Sequence, residues 1–338
     1  DGNRLMVIEG GTVSIDRSEL IPPESHLESV LKIIGGDVLI RNCSFEYNRI
    51  GFNTLIEAVN STLTVKETTF TGKEFPEAFT VFSLRDCKTT SFENIEINPG
   101  KGRSITVMDI GNSSVSFTNA VINTGTGSVQ ATGISAEDSS VTLTNSQITS
   151  PDDGRMTTCI TCNNTQLSID GSLINGNAQI GATALYAKNT RVDIRKSTIT
   201  CEKTREFLYL VKLSNSKGNM FNNYFVTEQS PDLIGIELQQ SDIKFFNNNC
   251  FFENGANIDA GLVVSGCEET LIMNNILLKK HGIGQTGTAI QLKESPNVEI
   301  RSNNISGWQT VVKTNKENIE TPYALNLADN DPFAGKYH

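Results

Sequence analysis

One pattern recurs down this chain with a step of 25 to 28 residues: apolar, x, apolar, x, Asn, x, x, apolar. It is plainest in Val38-Leu-Ile-Arg-Asn-Cys-Ser-Phe45, Val115-Ser-Phe-Thr-Asn-Ala-Val-Ile122 and Val141-Thr-Leu-Thr-Asn-Ser-Gln-Ile148. Its third position reads Ile15, Ile40, Val65, Phe92, Phe117, Leu143, Ile169, Ile194, Met220, Phe245, Met273 and Ile300. Its eighth reads Leu20, Phe45, Phe70, Ile97, Ile122, Ile148, Ile174, Ile199, Phe225, Cys250, Leu278 and Ile305. All 24 positions are apolar in a chain that is 37% hydrophobic, where chance would give about nine. A second stretch, alternating with period two, precedes each motif: Met108-Asp-Ile110, Ile134-Ser-Ala136, Leu185-Tyr-Ala187, Val211-Lys-Leu213. Such alternation marks a strand with one buried face.

Each unit is therefore read as three short strands. A unit this small cannot bury its apolar faces alone, so units must stack, each strand pairing with its equivalent in the next. The predicted fold is all-β: a single right-handed parallel β-helix of about twelve coils, its hand set by the bias of parallel crossovers. Residues 1–317 are assigned to the helix and 318–338 to a tail that caps the last coil. The recurring Asn (Asn42, Asn94, Asn119, Asn145, Asn222, Asn247 and Asn275) suits a sharp corner, because Asn tolerates left-handed backbone. The same turn chemistry accounts for the Asn-x-Ser/Thr triplets beginning at Asn42, Asn60, Asn112, Asn163 and Asn304.

The formal net charge of −10 and the lack of any basic stripe argue against nucleic acid as a partner. No apolar run approaches the length of a membrane span. No start methionine precedes Asp1, so the chain reads as a mature or trimmed piece. Seven dispersed cysteines do not make a disulfide framework, and Cys159-Ile-Thr-Cys162 lacks the second pair or His that a metal site would need. No metal or cofactor is expected.

The run Gly133–Ile148 and its variants resemble the parallel β-helix repeat of the pectin-lyase-like superfamily over nearly the whole chain. In that family, too, the recurring Asn belongs to the short turn between the second and third strands. Phe45-Glu-Tyr-Asn48 and Phe251-Phe-Glu-Asn254 are also similar to an element of polymorphic outer-membrane passenger repeats, without the Gly-Gly-Ala-Ile companion. The superfamily spans lyases, galacturonases, tailspikes and adhesins, so the resemblance implies fold before function. It implies a ligand groove on the outward face of the first strand, which here reads Lys32, Glu57, Ser83, Asp109, Ser135, Thr161, Tyr186, Lys212, Glu237, Ser265 and Gln291. A neighbouring column reads Arg85, Glu137, Lys188, Gln239 and Lys293.

Two patches on that face could carry chemistry. Arg85, Asp109 and Glu137 lie on successive coils, close enough for two carboxylates to act together in glycoside cleavage. Tyr186, Lys188, Lys212 and Glu237 offer hydrogen bonding to a sugar or its carboxylate. The plainer reading is charge alternation along a stack, with Lys32 against Glu57, Arg85 against Asp109 and Lys212 against Glu237. The galacturonase-type motifs are not assembled: Asp152-Asp153 and His281-Gly282 fall about five coils apart. Calcium would enter only if the chain were a lyase. His26 and His281 fall in loops, and His338 is terminal. Trp308, Phe52, Phe75, Phe79 and Tyr224 are candidates for sugar stacking, with core anchoring the commoner role. Taken together, the expectation is a secreted or cell-surface module for non-catalytic binding or adhesion, with a polysaccharide or glycoprotein as partner. A polysaccharide lyase or glycoside hydrolase and a structural spacer are the alternatives. An uncapped end could take another chain.

Overall fold

A computed structural model describes residues 4–21, 27–47, 52–75, 77–229, 232–252, 257–280 and 287–314. The tail assigned to 318–338 lies outside the described residues, as do His26, His281 and His338. Every described sheet is parallel, and no described residue is helical. Three sheets of 13, 12 and 12 strands each take every third strand of the chain, which is the right-handed β-helix that the repeat requires. Eleven steps separate the twelve strands of a stack, giving a rod about 50–55 Å long.

The third-position column forms as read for ten coils, for example Ile15↔Ile40, Ile40↔Val65, Val65↔Phe92 and Phe92↔Phe117. These side chains fill one continuous apolar interior. A line of rings crosses it, with Phe45 stacked on Phe70 at 4.7 Å and Phe92 on Phe117 at 5.0 Å. Phe82 stands edge-on between, 5.0 Å from both Phe70 and Phe92.

The register differs in the eleventh coil. Phe245 pairs with Ile272, not Met273, and Cys250 with Leu277, not Leu278. The corner after Gly266 holds one extra residue, so its left-handed residues Gly266 and Asn274 are eight positions apart, against seven for Asn112 and Asn119. Glu269 N–H donates to Asp242 Oδ1 at 2.9 Å and holds that wider corner. Leu271-Ile-Met273 and Ile276-Leu-Leu278 are apolar throughout, so neither segment carries an alternation that would fix its own register.

Corners are set by single residues with positive φ. Between the second and third strands stand Asn42 (φ 53), Asn94 (φ 51), Asn119 (φ 51), Asn145 (φ 48), Asn222 (φ 56) and Asn247 (φ 55). In the eleventh coil Asn274 takes this place, not Asn275. A second series, including Asn60, Asp86, Asn112, Asp138 and Asn215, turns the chain between the first and second strands. Of the five Asn-x-Ser/Thr triplets, those at Asn42, Asn60 and Asn112 begin on such corners.

The residue after most corners is polar, points inward and belongs to a buried hydrogen-bond ladder, which Ile95 and Ala120 interrupt. At the first corner, Ser113 Oγ accepts from Cys87 N–H at 2.9 Å and donates to Gly111 O at 2.8 Å. At the second, Asn248 Oδ1 accepts from Asn223 N–H at 3.0 Å and Asn223 Nδ2 at 3.1 Å, while its own amide donates to Met220 O at 2.9 Å. Asn275 and Asn303 continue that ladder. Each side chain thus satisfies backbone groups that a one-residue turn would leave buried and unpaired. At Gly218 (φ 144) a Cβ would collide with the Val192 carbonyl oxygen, so glycine is needed there.

Candidate functional site

Strands of the first sheet are longer than the three-residue reading, with 7 residues in Phe79–Arg85, 11 in Lys101–Gly111 and 12 in Thr126–Glu137. The two longer strands break alternation at Arg103–Ser104 and Ser128–Gln130, and all three break it where two neighbours such as Val107 and Met108 are both buried. The strand bends there and presents an outward face on either side of the bend. On one side runs the expected column, Lys32, Glu57, Ser83, Asp109, Ser135, Thr161, Tyr186, Lys212 and Glu237 in unbroken pairing. Its next member is Val263, and Ser265 belongs instead to the column of Arg85, Glu137, Lys188, Gln239 and Lys293.

On the other side of the bend stand Thr54, Thr80, Thr106, Thr132, Thr158 and Thr183, paired one to the next over six coils. All six are partly exposed. The row ends at Tyr209, which pairs with Thr183. Sequence reasoning missed it because the first strand was cut too short. The signal was present: a Thr stands three residues ahead of Glu57, Ser83, Asp109, Ser135, Thr161 and Tyr186.

Arg85 and Asp109 are brought together as an ion pair, and Arg85 also donates to the Asp109 carbonyl oxygen at 2.9 Å. Glu137 is placed apart from that pair. It lies opposite Gly111, two residues beyond the Asp109–Ser135 pairing, and its Oε1 accepts from Asn163 Nδ2 at 3.2 Å. Each carboxylate therefore has its own partner, and the two do not face one another across the strands.

The second patch is denser than its sequence suggested. Lys212 Nζ lies 2.8 Å from Glu237 Oε2 and 4.7 Å from the centre of the Tyr209 ring. Tyr186 pairs directly with Lys212 in the sheet. Burial alone would lower the Lys212 ammonium's pKa, but the Glu237 hydrogen bond and charge, with smaller help from Tyr209 and Tyr186, hold it above the ordinary lysine value. Phe207 packs over Gly181, where a Cβ would meet its ring, and its centroid is 6.2 Å from that of Tyr209. Lys188 is exposed one column away, opposite Ser214. Lys32 and Glu57 likewise pair across coils at 2.8 Å.

Other candidates resolve as packing. Phe75 and Phe79 are buried, their ring centroids 4.1 Å apart, and Trp308 is buried edge-on to Phe252. The Phe52 side chain lies outside the described residues. Among the described side chains of that set Tyr224 alone stands out, half exposed on the outer face of the third sheet. Asp153 is tied down by Thr126 Oγ1 at 2.7 Å and Lys101 Nζ at 3.2 Å. Cys159 and Cys162 are buried in the interior, where burial raises their thiol pKa to about 12. Among the described residues no three His, Cys, Asp or Glu side chains converge, and no helix is long and apolar enough to cross a membrane. Comparison of the chain with family models, with curated proteins and with solved structures finds no match.

Proposed function

We propose that this chain is a non-catalytic binding or adhesion module, secreted or at a cell surface, that takes a glycan along the outward face of its first sheet. The observation that carries this reading is the six-coil threonine row ending at Tyr209, beside Tyr186 and the Lys212–Glu237 pair. Hydroxyls repeated at strand spacing along a stiff axis suit an extended polymer of repeating polar units, and tyrosine rings at one end supply apolar faces with a polar tip. Lys188, one column away, extends the patch toward an acidic sugar. Kinship with the pectin-lyase-like superfamily fits both the corner asparagines and the placement of this face.

Binding is favoured over cleavage by the partners of the acidic groups. Asp109 is held by Arg85, Glu137 by Asn163 and Glu237 by Lys212. A glycosidase pair needs two carboxylates that share one bond from opposite sides, and this face offers none among its described residues. The test is a glycan array followed by titration with the best ligand. Tyr186→Ala and Tyr209→Ala are each expected to weaken binding about threefold to tenfold. Turnover of a uronate or neutral polysaccharide, with or without calcium and abolished by Asp109→Ala, would replace this reading with the lyase or hydrolase one. Absence of any glycan or protein ligand would leave the spacer.

A further inference from the structure

The outer surface changes character abruptly near one end of the rod. The last outward column of the second sheet is charged or polar from Asp16 through Arg195, then reads Phe221, Phe246 and Met273 before Arg301 returns. Around the adjoining corner, Thr198 and Thr200 on the third sheet give way to Tyr224 and Val226, and two coils on to Ile276 and Leu278, with Asn249 and Phe251 between. Phe221 and Phe246 stack at 5.2 Å, and Tyr224 is 50% exposed. Beside this face opens a cavity of about 350 Å³ whose lining includes Phe251, Leu278, Lys279 and Lys280.

Over three coils the two strips, on either side of a corner of exposed asparagines at Asn222, Asn247 and Asn274, together make an apolar area on the order of 300 Å². Single-sided cover for a stable dimer runs to about 800 Å², so a second copy is a poor match. We infer that this face is the seat of the chain's own C-terminal segment, residues 315–338. The last described strand, Thr310–Thr314, ends two to four coils beyond the face, about 10–20 Å along the axis. Asn315 to Pro322 can span up to about 26–29 Å. Immediately after that reach comes Tyr323-Ala-Leu-Asn-Leu-Ala328, whose large apolar side chains fall at every second position with only Ala and Asn between them, as suits a segment laid flat on an apolar surface. Charge agrees as well: Glu317, Glu320, Asp329 and Asp331 flank them, opposite Lys279 and Lys280. The inference is independent of the glycan reading, which concerns a different sheet.

The full chain is treated with a zero-length carbodiimide cross-linker as a mixture of isotopically light and heavy copies, and its peptides are read by mass spectrometry. Cross-links from Lys279 or Lys280 to Glu317, Glu320, Asp329 or Asp331 within one chain are expected. The double variant Leu325→Ser, Leu327→Ser leaves the β-helix core untouched and should lose those cross-links while raising anilinonaphthalene sulfonate emission severalfold. Adding Phe246→Ser should reverse the rise. Unchanged emission in the double variant, no cross-link to the segment, or cross-links only between light and heavy copies would each overturn the inference.

Discussion

A buried asparagine in this molecule works as part of the backbone. Asn248 accepts from two groups of Asn223 and donates to Met220 O, all at about 3 Å and all out of reach of water. Asn248→Leu would leave two donors and an acceptor unpaired, at a cost on the order of 3 kcal/mol or more. Urea denaturation should show a lower midpoint at unchanged slope. Asn145→Ala tests the other asparagine role. There the loss should be about 1 kcal/mol, reflecting only the left-handed backbone, and Asn145→Gly should recover it. Those corner asparagines were legible because they recur at the surface in one motif position. The inner ladder was not, because its members are mixed: Cys43, Thr68, Ser146, Ser172, Ser197, Asn223 and Asn248 share a place and a hydrogen-bonding task but no residue type. Thiols provide a residue-level check. All seven cysteines are free and buried, and burial raises the pKa of Cys159 and Cys162 to about 12. A colorimetric disulfide reagent at pH 8 should find almost no thiol in the native protein and all seven after denaturation.

Strands here derive their register from neighbours more than from themselves. Where one face alternates cleanly, as in Val141-Thr-Leu-Thr144, inward and outward residues are fixed by sequence. Where three apolar residues stand together, as in Leu271-Ile-Met273, the length of the preceding corner decides. The same logic hid the threonine row, since the bend inside each first-sheet strand interrupts the period that would have revealed it. Phe92 shows what such an element carries. It touches rings on two neighbouring strands, and Phe92→Ala should cost about 3–5 kcal/mol. Because each coil contacts only its neighbours, hydrogen exchange should rise first in strands Thr62–Lys66, Thr89–Glu93 and Ser114–Thr118, with distant coils little changed.

Along the whole rod, ion pairs between successive coils relieve the charge repulsion that a stack of identical positions would build up. Lys66–Glu93 at 2.6 Å, Arg195–Asp170 at 3.1 Å and Lys217–Asp242 at 3.2 Å join the four pairs of the first sheet, which include Arg4–Glu28 at 2.8 Å. Being partly exposed, each is worth little alone. Asp242 adds a pH dependence. The Glu269 N–H, then Lys217, lower its pKa below the ordinary carboxylate value. A lowered folded pKa means stabilisation present above about pH 4 and lost as pH falls through the folded value. Asp242→Asn removes that stabilisation, so it should lower the melting temperature at pH 7–9, leave it nearly unchanged below the folded pKa, and thereby flatten the fall between. Fold was readable because it is written a dozen times, whereas a site is written once. Asp109 and Glu137 looked like a pair on paper because they occupy nearby coils, and a two-residue offset within the sheet separates them.

Two of the three corners in a coil turn on left-handed residues, as at Asn112 and Asn119, and the residue after each is tied to a neighbouring coil, Ser113 Oγ accepting from Cys87 N–H and Ala120 N–H donating to Ser146 Oγ. Length changes at those corners shift everything after them, as the extra residue before Asn274 illustrates. The third corner varies far more in length, from the two residues at 124–125 to the six at 150–155 and the eight between Lys279 and Thr288. Grafts, insertions and new specificities therefore have one admissible doorway, and a peptide spliced between Pro151 and Gly154 should be displayed without disturbing the cylinder behind it.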